Sequence, residues 1–277
     1  MKVEQIGNSI LFNGDCLEIM PLLINSGTKV DAVIFDPPYS TTRSKWDKIL
    51  PYDKMWNCIK QLRKDNSAIV AFGNEPFSSE LRMSNKNEYR YDWKWVKNHQ
   101  TGFANSNYRP MNKYEDIMVF SSANASAGGK ANAMKYYPQG LVEVNKTKKN
   151  SAKRQGLVSY ANNNMDKDNQ LMQDGSEYTQ KYTNYPSNIL NFDCETKYLH
   201  PTMKPVALME YLVKTYTNEE EIVLDFTAGS FSTGVACINT NRKFIGIELD
   251  EHYFEIGKER MLNCYNEKVK ENASSSM

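Results

Sequence analysis

The sequence predicts an α/β fold, a mainly parallel twisted sheet flanked by helices and interrupted by a polar insert. Three observations carry this. Short apolar, β-branched runs alternate with longer segments of helical period at both ends of the chain. Two of those runs, ending at Asp36 and Asp225, give way to an acid and a rigid or small-residue turn. Between about residue 122 and residue 193 the alternation collapses into Asn, Lys, Ser, Gln and Tyr, a stretch too long for an ordinary loop.

Taken in order, the predicted strands are 9–12, 31–35, 67–72, 91–96, 117–121, 222–225 and 243–247. The helices between them are 16–24 (CLEIMPLLI), 76–83 (PFSSELRM), 205–216 (PVALMEYLVKTY), 232–240 (STGVACINT) and 251–262 (EHYFEIGKERML), each with apolar residues recurring at helical spacing. A chain of 277 residues with 40% hydrophobic content can bury a full core. One large domain from 1–121 and 186–265 is expected, with an insert at 122–185 and a frayed tail at 266–277.

Composition narrows the function. No run approaches the ~18 consecutive apolar residues that span a bilayer, and the opening MKVEQIGNSILF lacks a basic segment leading into an apolar signal core, so a soluble, cytoplasmic protein is expected. Cys16, Cys58, Cys194, Cys237 and Cys264 show no C-x-x-C spacing and do not pair with His99, His200 or His252 at ligand spacing, so reduced thiols and no metal are expected. With a net charge of +1, a polyanionic partner has to be gripped by a local patch.

The strand ending at Asp36 is followed by Pro37, Pro38 and Tyr39. In an open parallel sheet, ligands bind beyond the carboxyl ends of the strands. Two prolines remove N–H donors, leave carbonyl acceptors and fix the chain. The product is an acceptor-rich, aromatic-capped pocket suited to an exocyclic amine on a flat heterocycle: Asp36 and the Pro37 carbonyl accept its hydrogens, and Tyr39 stacks on the ring. Taken alone, the block would serve equally as a strand-to-turn exit with Asp as a turn former. The second constellation runs from residue 221 to residue 250, EIVLDFTAGSFSTGVACINTNRKFIGIELD: strand, acid, small-residue turn, helix, strand, acid. Gly229 permits close backbone approach to a ligand, and Glu248 stands about 20 residues on, where a carboxylate can accept two ribose hydroxyls.

With DPPY preceding this nucleotide-binding block, the chain resembles the β-class DNA amino-methyltransferases, which use S-adenosylmethionine. NGDCLEIM (13–20), TTRSKWD after DPPY, FGNEPF (72–77) and YLHPTMKPVALMEYLV (198–213) extend the resemblance over 8–121 and 186–262. It implies a Rossmann-like methyltransferase fold in which Asp36, Pro37, Pro38 and Tyr39 hold a target adenine. Asp15 is implied near the cofactor's adenine, and His200, Thr202 and Lys204 close over its methionine end. Asp225, Thr227, Gly229 and Ser230 form the cofactor loop, Glu248 holds the ribose, and Asp36 borders the cofactor. A homodimer and a cognate restriction endonuclease are further implications. Methylation of cytosine N4 is the alternative, as are an RNA or protein substrate and a DNA-binding descendant with impaired cofactor binding.

An adenine amino group inside a duplex is out of reach, so the nucleotide is expected to be extruded or single-stranded. The insert is the expected target-recognition segment. Between 130 and 155 it carries Lys130, Lys135, Lys146, Lys148, Lys149, Lys153 and Arg154 against one acid, Glu143, an excess suited to phosphate contacts. Its Asn and Gln, as in YANNNMDKDNQ (160–170), can read adenine edges, although the same residues would make a solvated loop. Where the family carries D-P-F-x-G-S-G-x-T-G, this chain has Phe226, Thr227 and Phe231 at the Pro, Phe and second Gly positions. Either the loop rotates the Phe231 ring into the packing of the 232–240 helix or the ring intrudes on the cofactor site, and a turn where the family keeps a glycine for close ligand approach favours intrusion.

Overall fold

The computed structural model describes residues 1–39, 48–126, 132–149, 177–195 and 203–275. Its main sheet contains, in chain order, β1 (Lys2–Ile6), β2 (Ser9–Asn13), β3 (Val30–Phe35), β4 (Arg63–Gly73), β5 (Tyr89–Thr101), β6 (Asn112–Phe120), β9 (Ile189–Asn191), β10 (Ile222–Asp225) and β11 (Lys243–Glu248). Two further strands, β7 (Val142–Lys149) and β8 (Glu177–Thr183), form a separate antiparallel ribbon. The main sheet has the order β1-β2-β11-β10-β3-β4-β6-β5-β9, and β1 and β6 run against the other seven. The expected mainly parallel sheet is present.

The central strands are apolar on both sides because both sides are covered. On β3 and β4, Val33, Phe35, Ile69 and Ala71 face one layer, while Ala32, Ile34, Val70 and Phe72 face the other. The first layer holds α1 (Cys16–Asn25), α2 (Tyr52–Leu62) and α3 (Phe77–Ser84), through residues such as Met20, Ile59 and Leu81. The second holds α4 (Val206–Tyr216), α5 (Ser232–Asn239) and α6 (Glu251–Ser275), through Leu212, Val235 and Phe254.

Several elements differ from the sequence expectation. Helix α2 was not anticipated, although Met55, Trp56, Ile59 and Leu62 line one face of it. Strand β1 is an edge whose first residues are exposed, so the apolar period that betrays a buried strand is weak. The expected tail at 266–277 is helical as far as Ser275: α6 runs on past residue 262, and Lys268 reaches back to the Ile238 carbonyl. The start of the expected insert is also rooted in the main domain, since Ala123 and Met134 belong to its core.

Lys135 shares that root. Expected as a phosphate-gripping residue, it instead pairs with Asp31 (2.7 Å) and Glu221. Asp31 is 2% exposed and also accepts from Lys64 (2.7 Å) and the Ile222 amide (3.1 Å). Burial alone would raise its pKa, and these donors hold it below the usual carboxylate value. This knot lies at the amino ends of β3 and β10, away from the site, and ties four segments together.

Candidate active site

From β3 the chain proceeds to β4 on one side, and from β10 to β11 on the other, so the sheet has its topological switch between β3 and β10. A cavity of about 520 Å³ opens there, at the carboxyl ends of the strands. Asp15, Asp36–Tyr39, Lys204, Asp225, Thr227, Gly229, Ser230 and Glu248 all line it. Residues separated by nearly two hundred positions thus meet in one chamber, as the sequence anticipates. Expected site residues His200 and Thr202 lie outside the described residues, as do Lys153 and Arg154.

Asp36 extends from β3 into the cavity, and its two carboxylate oxygens have different partners. The Tyr39 hydroxyl donates to Oδ1, and Lys204 Nζ donates to Oδ2. The Tyr39 ring packs on Phe77, with centroids 4.9 Å apart, so ring and hydroxyl are both held. Lys204 Nζ also lies 3.3 Å from Glu115 Oε2 and 4.9 Å from the Phe72 ring centroid. Lys97 pairs with the other oxygen of Glu115. The result is a buried relay, Tyr39–Asp36–Lys204–Glu115–Lys97, running from β3 to β6 and β5.

Burial pushes the Asp36 pKa up, against the pull of Lys204. Glu115 is held down instead, because Lys204 and Lys97 together override its burial. Neither Glu115 nor Lys97 was legible as a site residue. They stand in strands whose local pattern shows only that a charge points somewhere. Lys204, expected over the cofactor's methionine end, lines the same cavity and sets its ammonium on Asp36.

Asp225, at the end of β10, and Glu248, at the end of β11, form a second acidic wall. Asp225 is 4% exposed and accepts from Thr233 Oγ1 (2.6 Å) and the Thr227 amide (3.1 Å). Burial, with Asp36 and Glu248 nearby, raises its pKa to about 7. Glu248 accepts from the Gly229 amide (2.7 Å) and the Asp250 amide (2.8 Å), and burial raises its pKa too. Gly229 adopts φ +53°, the left-handed conformation that glycine takes at low cost. Asp15 caps α1, accepting from the Leu17 amide at 2.8 Å, while it lines the same cavity.

Phe231 corrects the sequence expectation. Its backbone is left-handed at φ +57°, and this turn carries the ring away from the cavity into the second helical layer. The ring is fully buried, edge-on to Phe244 and Phe254 at centroid distances of 6.2 and 5.9 Å. Gly246 and Gly257 make room for it: a Cβ on Gly257 would lie 2.0 Å from the ring. Arg260 of α6 braces the loop from behind, donating to the Ser230 carbonyl (3.2 Å) and Ser232 Oγ (3.0 Å).

The fit to a nucleoside cofactor bearing a cationic amino-acid end can be judged from the donor set. Asp225 and Glu248 supply carboxylates for an ammonium and a pair of ribose hydroxyls, and Thr227 Oγ1 is a buried hydroxyl without a partner. The residues suit such a ligand.

A mainly parallel sheet with an acidic cleft at its switch point, lined also by Asp36–Tyr39, has the architecture of a nucleotide-binding α/β enzyme. The chain belongs to the DNA methylase family of the N6/N4 type, whose pattern matches residues 30–259. It is 26% identical over 276 residues to the DNA adenine methyltransferase YhdJ of Escherichia coli K12, covering 91% of this chain and 82% of that one. It also resembles the crystal structure of the M1.HpyAVI–SAM complex, at 25% identity and a TM-score of 0.57 over 90% of this chain and 98% of that chain. The fold is shared with the cytosine-N4-specific PvuII DNA methyltransferase, at 14% identity and a TM-score of 0.60 over 95% and 93% of the two chains.

Proposed function

We propose that the protein transfers a methyl group from S-adenosylmethionine to the N6 amino group of an adenine extruded from DNA. The observation that carries this is the meeting of Asp36–Tyr39 with Asp225, Gly229 and Glu248 in one cavity. The adenine specificity named for YhdJ supports the choice of base, as does an acid, rather than the serine more usual in cytosine enzymes, at Asp36.

When bound, S-adenosylmethionine supplies an electrophilic methyl group. Glu248 would hold its ribose, Asp225 and Thr227 its polar end, and Gly229 would allow the backbone to approach. Asp36 and the Pro37 carbonyl would accept the two amino hydrogens, directing the nitrogen lone pair toward the methyl. A carboxylate keeps acceptor capacity after the Lys204 bond is made. Burial strengthens Asp36 as a base, so it can also take the proton the amine sheds. Tyr39 would stack on the base.

Mass spectrometry of nucleosides from DNA treated with enzyme and cofactor should show N6-methyladenine. N4-methylcytosine would overturn the base assignment, and methyl transfer only to RNA or protein would overturn the substrate. Sequencing that reads methylated positions would give the recognised site.

The state of Asp225 predicts a pH dependence. In the ligand-free protein its pKa is about 7, so below that pH a cationic ligand must displace a proton. Cofactor affinity should rise about tenfold from pH 6 to pH 8, with proton release at the lower pH. Calorimetric titration in two buffers of different ionisation enthalpy would detect both, and a flat affinity would exclude Asp225 from the contact. The free protein should show the opposite trend. Because the folded-state pKa lies above the ordinary aspartate value of 3.8, this group's stabilising contribution is present below 3.8 and lost as pH rises through about 7.

The proposal includes DNA gripping by the β7–β8 ribbon, with the part of the insert that follows Lys135, up to residue 185, as the target-recognition segment. Lys146, Lys148 and Lys149 are exposed on β7. Lys146 and Lys148 stand opposite Gln180 and Tyr178 on one face, whereas Lys149 pairs with Glu177 at 3.2 Å. Replacing Lys146 and Lys148 by alanine should weaken DNA binding and lower the salt slope by roughly 2, with cofactor affinity unchanged. An unaltered slope would remove the ribbon from the interface.

Among the described residues, no helix is long and apolar enough to cross a membrane. The proposal further includes cytoplasmic residence, a homodimer and a cognate restriction endonuclease. Sedimentation showing only monomer at every concentration would remove the dimer. Host DNA cut at the methylated site when this protein is deleted would support the endonuclease.

A further inference from the structure

Strands β5 and β6 overrun the sheet. Gly73, the last residue of β4, pairs with Asp116, yet β5 and β6 continue through Val96–Tyr114 and, after a register shift, to the Thr101–Asn112 pair. Four residues at ~3.3 Å carry the hairpin roughly 13 Å past the end of β4. β5 runs in the direction of β3, β10 and β11, so this projection rises from the edge that holds the cavity. Its base is part of the site: Glu115, next to Asp116, touches Lys204, which holds Asp36.

The tip carries Phe103, 78% exposed, and Tyr108, 88% exposed. Both rings stand in water at the end of the hairpin. The tip is built rather than loose. The Ser106 amide bonds the Phe103 carbonyl (3.0 Å), and the Tyr108 and Arg109 amides bond the Asn105 carbonyl (2.9 and 3.0 Å). Asn112 Nδ2 ties the hairpin to Asn74 Oδ1 at the end of β4 (3.1 Å). From residue 97 to residue 114 there is no Asp or Glu, and Arg109 and Lys113 are exposed. An aromatic tip on a cationic stalk is complementary to stacked bases inside a phosphate backbone.

We propose that the β5–β6 hairpin is a duplex wedge, in which Phe103 and Tyr108 enter the base stack where the target nucleotide leaves it and hold the gap open while the base occupies the Asp36 pocket. This rests on the methylation reading above. Extruding a paired base leaves its neighbours unstacked and its partner alone, and an inserted ring restores part of that stacking. The wedge is a positioning device that touches no reacting atom. Its contribution is confined to substrates whose target base must be unpaired.

The test uses the double variant Phe103→Ala/Tyr108→Ala with two duplexes carrying the enzyme's own methylation site. One has the target adenine paired, and the other has it opposite an abasic position. The variant should lose at least about tenfold in kcat/KM on the paired duplex and under about threefold on the abasic one. With 2-aminopurine at the target, the fluorescence rise on binding the paired duplex should fall in parallel. Phe103→Trp/Tyr108→Phe should act like wild type, and an unchanged melting temperature would show that the fold is intact. Equal losses on both duplexes, or none on the paired one, would overturn the wedge while leaving the methylation reading standing. Wild-type enzyme that methylates no adenine would overturn both.

Discussion

Replacing Phe231 by glycine should destabilise the protein by roughly 1–4 kcal/mol without changing cofactor affinity. Deleting a buried Phe side chain costs about 3–5 kcal/mol, and relief of a left-handed non-glycine backbone returns about 1–2 kcal/mol. The ring is fully buried among Phe244, Phe254, Gly246 and Gly257, so no cofactor contact is lost. Phe231→Ala should be worse than Phe231→Gly, by about 1 kcal/mol, because alanine loses the ring and keeps the backbone strain. Thermal unfolding beside calorimetric titration would check both. Tighter cofactor binding in Phe231→Gly, with unchanged melting, would show instead that the ring obstructs the site.

Asp36→Ala should lower methyl transfer by roughly 10²–10³-fold, the range seen when one preorganised polar group is removed from a reacting centre. The fold should persist, because Lys204 keeps Glu115 as a partner 3.3 Å away. Asp36→Asn should fall between alanine and wild type, since its amide oxygen can accept a hydrogen but carries no charge and cannot take the amine's proton. Single-turnover rates at saturating cofactor and DNA would separate chemistry from binding. Transfer within about threefold of wild type would remove Asp36 from its assigned role.

These two residues also show how much was legible before folding. Asp36 could be read because its meaning is local: an apolar strand, an acid and two prolines state a geometry in four consecutive residues. Asp225, Gly229 and Glu248 were legible for the same reason, as a strand–turn–helix–strand unit. Glu115, Lys97 and the knot around Asp31 were not. Each is a single charge in a strand, and its partners lie 18 to 191 residues away. The direction of Phe231 stays open in the sequence because a side chain's direction at a turn depends on the sign of φ, and the space that receives it is made by glycines on other elements.

The sequence by itself determined the α/β class, the mainly parallel sheet, the succession of most of its elements and the two blocks that bear the chemistry. Those follow from hydrophobic period and turn residues, which act over a few positions. The tertiary structure alone decided that Lys204 reaches Asp36 and Glu115, that Lys135 anchors the domain core rather than facing DNA, and that Phe231 turns inward. It alone decided that β5 and β6 rise past the sheet beside the cavity. Each of these depends on which strands become neighbours and how far they overrun one another, and pairing between distant segments is set by packing the whole chain at once.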